Sequence, residues 1–166
     1  LLTRLGISPM KPIEYILGYM VSFIPFILLQ NILLFIVALF LGLQFSINII
    51  WTIVVSIVIA VLFIAIGILI GSLVSDKAAS GISSIIIQLV CFTSGMYFPK
   101  EMLGNTYSKI CEFLPFDSAL TITKGILNNN LEIITTQNIV IFCIYTIAIL
   151  ALATRMFRIK MKSDNK

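Results

Sequence analysis

One uncharged stretch constrains this chain more than any other feature: residues 15–75 contain no Asp, Glu, Lys or Arg. Residues 78–99 and residues 133–154 form two further uncharged stretches. A helix needs about 20 apolar residues to cross a bilayer, so the first stretch has room for two spans and each of the others for one. The sequence therefore predicts an all-α membrane protein with four transmembrane helices.

The composition excludes a soluble domain. Hydrophobic residues make up 60% of the 166 residues and charged residues only 11%, whereas about 25% charged residues is usual in soluble domains. A chain of this length has no polar shell that could bury so much apolar surface. The net charge of +4 does not indicate nucleic-acid binding, because the basic residues concentrate in a short tail that follows the last apolar stretch.

The predicted organisation is one transmembrane domain over residues 1–166. An interfacial segment at 1–14 precedes the first spans, an amphipathic hairpin precedes the last one, and a basic tail follows it. The boundaries are spans at 15–41, 49–74, 81–98 and 133–154, a hairpin at 99–131 and a tail at 155–166. Pro25 predicts a kink in the first span, and the short loop at 42–48 predicts that the first two spans pair antiparallel.

The distribution of Lys and Arg predicts the orientation. If both ends of the chain and the loop at 75–80 are cytoplasmic, eight Lys and Arg lie inside and three lie outside. Positive residues favour the cytoplasmic side of a membrane. We therefore expect both ends of this segment in the cytoplasm, the hairpin outside, and a bacterial plasma membrane as the location.

An amphipathic helix is predicted after the third span. Pro99 cannot continue the hydrogen-bond ladder of a helix, and the charged pair that follows it requires water. Leu103, Tyr107, Ile110 and Leu114 then recur at helical spacing. This spacing predicts a helix of about four turns at the membrane surface.

A second short helix is expected before the last span. Pro115 breaks the first helix, and Asp117 or Ser118 can cap the next one. That helix is predicted to end at residues 124–125 or within the asparagine run at 128–130.

Small and polar residues inside the spans are the candidate packing or path-lining positions. Gly67 and Gly71 form a small-residue ladder, which allows close approach of another helix. On the third span the small and polar residues share one face, with a helix–helix seam favoured over the wall of a transport path. They are Gly81, Ser84, Gln88, Cys91 and Gly95. Gln30 and Asn31 lie mid-span, where interhelical hydrogen bonding and subunit or substrate contact are equally open.

No residue pattern for covalent chemistry is present in the sequence. The chain has no His, no phosphate-binding G-x-x-x-x-G-K-[ST] loop, and three Cys whose spacing fits no metal or redox site. We therefore expect neither an enzyme nor a cofactor in this chain. No charged residue lies within a span, which disfavours an ion-coupled secondary carrier.

Three motifs, in order, carry a family resemblance. Residues 1–9 form a Leu-rich segment that ends in Ser-Pro, Ser94-Gly95 precedes Phe98-Pro99, and Leu114-Pro115 precedes the last helical stretch. In these motifs the chain resembles the membrane subunit of type-2 ABC exporters, which export drugs, antibiotics and polysaccharides. The resemblance implies that an elbow helix and two further spans precede residue 1.

The resemblance also implies a mechanism and partners. Those partners are a cytoplasmic ATPase subunit, which binds ATP and Mg²⁺, and a second permease copy. The N-terminal segment would be the coupling helix that docks on the ATPase, and its contact residues would be Leu1, Leu2, Arg4, Leu5, Ser8 and Pro9. The hairpin would cap the exit side of the path. Two alternatives stay open: a non-transporting assembly or immunity factor, and a secondary carrier.

Overall fold

The computed structural model describes residues 12–97, 102 and 104–163, and within these residues the regular elements are all helical. The helices are α1 (Pro12–Phe40), α2 (Asn48–Leu73), α3 (Asp76–Thr93), α4 (Asn105–Glu112), α5 (Pro115–Leu127) and α6 (Thr136–Ser163), with a short 3-10 turn at Leu131–Ile133. The all-α prediction is confirmed for this part of the chain.

Three of these helices are long and apolar enough to cross a bilayer: Ile16–Phe40, Asn48–Leu73 and Thr136–Lys160. The apolar stretch of α3, Lys77–Thr93, is shorter. At 1.5 Å per residue it is about 26 Å long, against a hydrocarbon core of about 30 Å. The described residues therefore contain three candidate spans and one shorter apolar helix, where the sequence predicts four spans.

The helix α2 is the centre of the bundle, and α1, α3, α5 and α6 all contact it. One cluster of buried side chains joins α1, α2 and α6 through Ile16, Met20, Ala65 and Phe157. A second cluster joins α2, α5 and α6 through Leu62, Ala119 and Phe142. The most extensive contact is between α2 and α6, so the partner expected from the loop, α1, is not the main partner of α2.

The contacts also fix the helix directions. Leu62 of α2 packs with Phe142 of α6, and further along both helices Gly71 meets Lys160. The helices α2 and α6 therefore run parallel, whereas α1 runs antiparallel to both. The start of α1 and the ends of α2 and α6 consequently lie at one end of the bundle, which we call the basic end because Lys160 lies there.

The start of α3 and the end of α6 differ from the predicted boundaries. The segment predicted as a loop at 75–80 is the start of α3, with Ser75 as the N-cap and the amides of Ala78 and Ala79 both bonded to the Ser75 carbonyl at 2.9 Å. Alanine is the strongest helix former, which favours this early start. Toward the other end of the chain, α6 continues to Ser163, so residues 155–163 of the predicted basic tail belong to this helix.

The helix α5 lies deeper than an interfacial helix would. Ala119 packs against Leu62, about 21 Å along α2 from its start at Asn48. The ring of Phe116 stacks on that of Phe63, with 6.0 Å between the ring centroids. The second helix of the predicted hairpin is therefore partly packed against the middle of α2.

Gly125 explains why α5 and the following turn pack so closely. A Cβ atom at this position would lie 2.6 Å from Cγ1 of Ile134 and 3.1 Å from the carbonyl oxygen of Asn130. Only glycine leaves room for the chain to fold back here, and the Asn130 amide bonds to the Gly125 carbonyl at 2.9 Å.

Candidate functional site

The polar face of α3 is exposed. Ser84 and Gln88 lie about one turn apart on this face, and the Ser84 hydroxyl donates to the carbonyl of Ser80 at 3.0 Å. Their neighbours Ile85 and Leu89 are 64% and 57% exposed. Within the described residues Gly81, Ser84 and Gln88 are uncovered, so the favoured helix–helix seam is not found there. The face is available to a second subunit or to a transported molecule.

Gly95 does not belong to this face. The helix α3 ends at Thr93, Ser94 is its C-cap, and Gly95 has a φ of +73°, a conformation that favours glycine. The Gly95 amide bonds to the Phe92 carbonyl at 3.3 Å and closes the turn. The prediction that the third span continues to residue 98 and is ended by Pro99 is therefore wrong, because this left-handed turn ends the helix first.

The two mid-span amides of α1 differ in their environment. The Asn31 side-chain amide donates to the carbonyl of Ile27 at 2.8 Å, within the same helix. Asn31 therefore satisfies a donor without a partner helix, and the Gln30 side chain is exposed. Contact of either residue with a subunit or a substrate stays a prediction.

The ladder of Gly67 and Gly71 faces open space. No neighbouring atom lies within 4 Å of the position that a Cβ would take at either residue. The expected close helix contact is therefore not found in the described chain. The reason is geometric: α6 packs on the face of α2 that carries Leu62 and Ala65, which is about half a turn around the helix from Gly71.

The Lys160 side chain of α6 caps the C-terminal end of α2. Its Nζ donates to the carbonyl of Gly71 at 2.6 Å. The last intrahelical bond of α2 runs from the Val74 amide to the Ile70 carbonyl, so Gly71 has one of the carbonyls that a helix end leaves without a backbone partner. A cation at this end is also favoured by the helix dipole.

A groove of about 680 Å³ opens beside this contact, between α1, α2 and α6. The helix α1 contributes Tyr19, Phe23 and Ile27, the helix α2 contributes one face between Ala60 and Ser72, and α6 contributes Phe157 and Lys160. Its wall is mostly apolar. Sequence reasoning missed this groove, because nothing in the sequence shows that the ends of α2 and α6 meet.

The hairpin differs from its predicted form. The helix α4 has eight residues, where the sequence predicts about four turns, and Gly104, with φ +94°, precedes it. Ile110 is 57% exposed, whereas the neighbouring Cys111 is fully buried. Burial raises the pKa of the Tyr107 phenol, and the adjacent Cys111 thiol, with which it forms a hydrogen bond, raises it further.

The start of α5 corrects the predicted cap. Pro115 is the first residue of α5 and Leu114 is its N-cap, in extended conformation and without a side-chain capping bond. Proline is well suited to this first position because it has no amide to satisfy. Asp117 and Ser118 lie inside the first turn and are buried, at 4% and 0% exposure. A carboxylate here is favoured by the helix dipole. The helix α5 ends at Leu127, with Asn128 as its C-cap, which agrees with the second of the two predicted ends, the asparagine run, and not with residues 124–125.

Several predicted site residues lie outside the described residues. These are the coupling positions Leu1, Leu2, Arg4, Leu5, Ser8 and Pro9, and the hairpin positions Pro99 and Leu103. Among the residues that are described, no group of three His, Cys, Asp or Glu could hold a metal ion.

Comparison with known proteins identifies the family. No curated protein and no solved structure matches the chain. Residues 1–128, which run from the predicted coupling segment to the end of α5, match the family described as ABC-2 type transporter. The chain therefore belongs to the ABC-2 type transporter family and is a multi-pass membrane permease, the membrane subunit of an ABC transporter.

Proposed function

We propose that this chain is the path-forming subunit of an exporter and that ATP hydrolysis in a separate cytoplasmic ATPase subunit drives it. The observation that carries the proposal is the family match over residues 1–128, because it includes the segment predicted to dock on the ATPase as well as the helices up to α5. ATP and Mg²⁺ would bind to that partner. The conformational change would then be a two-state repacking of the bundle that ATP biases.

The packing of α1 supports transmission of force into the bundle. Ile16 and Met20, near the start of α1, are 1% and 7% exposed and share a cluster with Ala65 and Phe157. A displacement of the residues before α1 would therefore act on α2 and α6 through a continuous apolar contact. Packed cores respond to such a displacement by switching between arrangements and not by gradual deformation.

The exposed face of α3 is the proposed wall of the path. Ser84 and Gln88 are neutral, polar and uncovered within the described chain. A second permease copy, identical or different, would face this surface and enclose the path between the two subunits. The distribution of Lys and Arg supports a cytoplasmic position for both ends of the segment. In this proposal α3 is the third of four spans, and the membrane is a bacterial plasma membrane.

The coupling proposal is tested with a matched pair of double variants. Arg4→Glu with Leu5→Asn changes the predicted docking segment, whereas Arg158→Glu with Ile159→Asn makes the same change at an exposed site of α6. We expect the first variant to insert into membranes but to lose co-purification of the ATPase subunit and ATP-dependent transport. The second variant should retain both. Wild-type transport by the Arg4–Leu5 variant would contradict the proposed docking site.

The path is tested by the accessibility of introduced cysteines. In a background with the three native cysteines replaced by alanine, Gln88→Cys and Ser84→Cys should react with a charged, membrane-impermeant thiol reagent that is supplied from either side. Leu89→Cys and Ile85→Cys are also exposed on this helix, and we expect them to face lipid and not to react. Equal labelling of all four positions would contradict a polar path along α3.

A further inference from the structure

The groove beside Lys160 combines an apolar wall with a cation at one end. Its volume, about 680 Å³, lies within the range of about 300–1,000 Å³ that small-molecule sites occupy. Tyr19 and Phe63 on its wall are 43% and 41% exposed, so the groove is reached from outside the bundle. Because α1, α2 and α6 are membrane helices, the medium that reaches this groove is the lipid bilayer.

The length of the groove corresponds to one leaflet. Its wall on α2 runs from Ala60 to Ser72, and the helix rises by about 16 Å between Ala60 and Gly71. The hydrocarbon core of a bilayer is about 30 Å thick, so one leaflet contributes about 15 Å. Since α2 ends two residues after Gly71, the cation lies near the membrane surface and the apolar part extends toward the midplane.

Lys160 has donors left for a ligand. An ammonium group has three N–H donors, and the Gly71 carbonyl accepts one of them at 2.6 Å. Lys160 is also the one charged residue among those that form the described wall. Arg155 and Arg158 are exposed on the same end of α6 and add positive charge near that depth. Juxtamembrane cations attract anionic lipids.

We propose that this groove binds one anionic phospholipid of the leaflet at the basic end of the bundle. An acyl chain lies along Ile64, Gly67 and Phe23, and the headgroup phosphate accepts hydrogen bonds from Lys160. The bound lipid fills the space between α1 and the α2–α6 pair. This assignment does not depend on which molecule is transported or in which direction.

Native mass spectrometry of the purified full chain, mixed with equal amounts of phosphatidylglycerol and phosphatidylcholine, tests the cation. We expect preferential retention of one phosphatidylglycerol. Lys160→Gln should reduce this preference for phosphatidylglycerol about fivefold. The separate variant Lys160→Arg, which keeps the charge, should retain the preference. The matched control Arg158→Gln removes an equal charge outside the wall and should have a smaller effect.

A second pair of variants tests the apolar part independently of the Lys160–Gly71 bond. Gly67→Phe places a ring in the groove without a clash at Cβ, because no neighbouring atom lies within 4 Å of that position. Val58→Phe adds a ring on an exposed part of α2 outside the wall. We expect loss of the retained lipid in the first variant and wild-type retention in the second.

The alternatives give distinct results, each of which would overturn the proposal. Equal retention of the two lipids by the unmodified protein would show a surface without headgroup selectivity. Wild-type phosphatidylglycerol retention in both Lys160→Gln and Gly67→Phe would place the lipid elsewhere. If Gly67→Phe instead abolished a dimer and left lipid retention unchanged, a second copy of the chain would be the occupant.

Discussion

Two glycine sites on opposite sides of this bundle differ in what surrounds them. At Gly125 the chain folds back so closely that a Cβ would lie 2.6 Å from the Ile134 side chain, whereas Gly67 and Gly71 have no neighbouring atom within 4 Å. The first site belongs to the closed side of the bundle, where α5, α2 and α6 pack together. The second belongs to the open side, where α1 leaves a groove. Small residues in a membrane protein therefore need not indicate helix contact within one chain.

The difference also separates two roles. The closed side is expected to provide most of the stability, because Leu62, Ala119 and Phe142 form a buried cluster there. The open side leaves space for a ligand and for movement of α1 relative to α2 and α6. Substitutions on the two sides should consequently affect stability to different degrees, and the following three predictions test this.

The largest effect is expected at Leu62, which is 0% exposed between α2, α5 and α6. Leu62→Ala leaves a cavity and should destabilise the bundle by about 2–5 kcal/mol. Leu33→Ala is the matched control, since Leu33 is 55% exposed on α1. Thermal unfolding in detergent measures both variants. A comparable loss of stability in the two would mean that the α5 contact is not the centre of stability.

An intermediate effect is expected at Gly125. Gly125→Val would push the Ile134 side chain and the Asn130 carbonyl away from residue 125, and such overpacking costs about 1–3 kcal/mol. Gly18→Val introduces the same side chain into α1, where no neighbouring atom lies within 4 Å. The melting temperature should fall clearly in the first variant and little in the second. Equal melting temperatures would show that the turn between α5 and α6 accommodates a larger side chain, which would contradict the close packing at Gly125.

The smallest effect is expected at Gly67. Gly67→Ala adds a methyl group in open space, and alanine favours the helix by about 1 kcal/mol over glycine. We expect unchanged or slightly raised thermal stability. A marked loss would show that another helix packs against this position in the assembled transporter, and the open side would then be closed by a partner.

The sequence alone predicted the apolar helices, because an uncharged apolar stretch long enough to cross a bilayer is not found in a soluble domain of this size. It also predicted a short helix after Pro115, although with a different N-cap and with two possible ends, of which the asparagine run is the one found. It did not predict the start of α3, because the residues at 75–80 are equally typical of a loop and of the capped start of a helix. The end of α3 was misplaced since Pro99 is a stronger sequence signal than Gly95, although a left-handed glycine ends a helix just as effectively.

The candidate site was less predictable than the fold. Periodicity showed which residues share a face of a helix, and Ser84 and Gln88 do share one. It does not show which face a neighbouring helix covers, and Gly67 and Gly71 were therefore expected in a seam that the chain does not form. The Lys160–Gly71 bond joins residues 89 positions apart, and no local pattern indicates such a contact.

The parallel pairing of α2 with α6 has a consequence for how the protein is made. Ribosomes add about 5–20 residues per second, so Lys160 emerges roughly 4 to 18 seconds after Gly71, given their separation of 89 residues. Throughout that interval the newly inserted α2 lacks its principal neighbour and must be sheltered by lipid or by the insertion machinery. A stalled chain that ends before Thr136 would stay in this incomplete state, because the Gly71 carbonyl at the end of α2 would lack the hydrogen bond from Lys160.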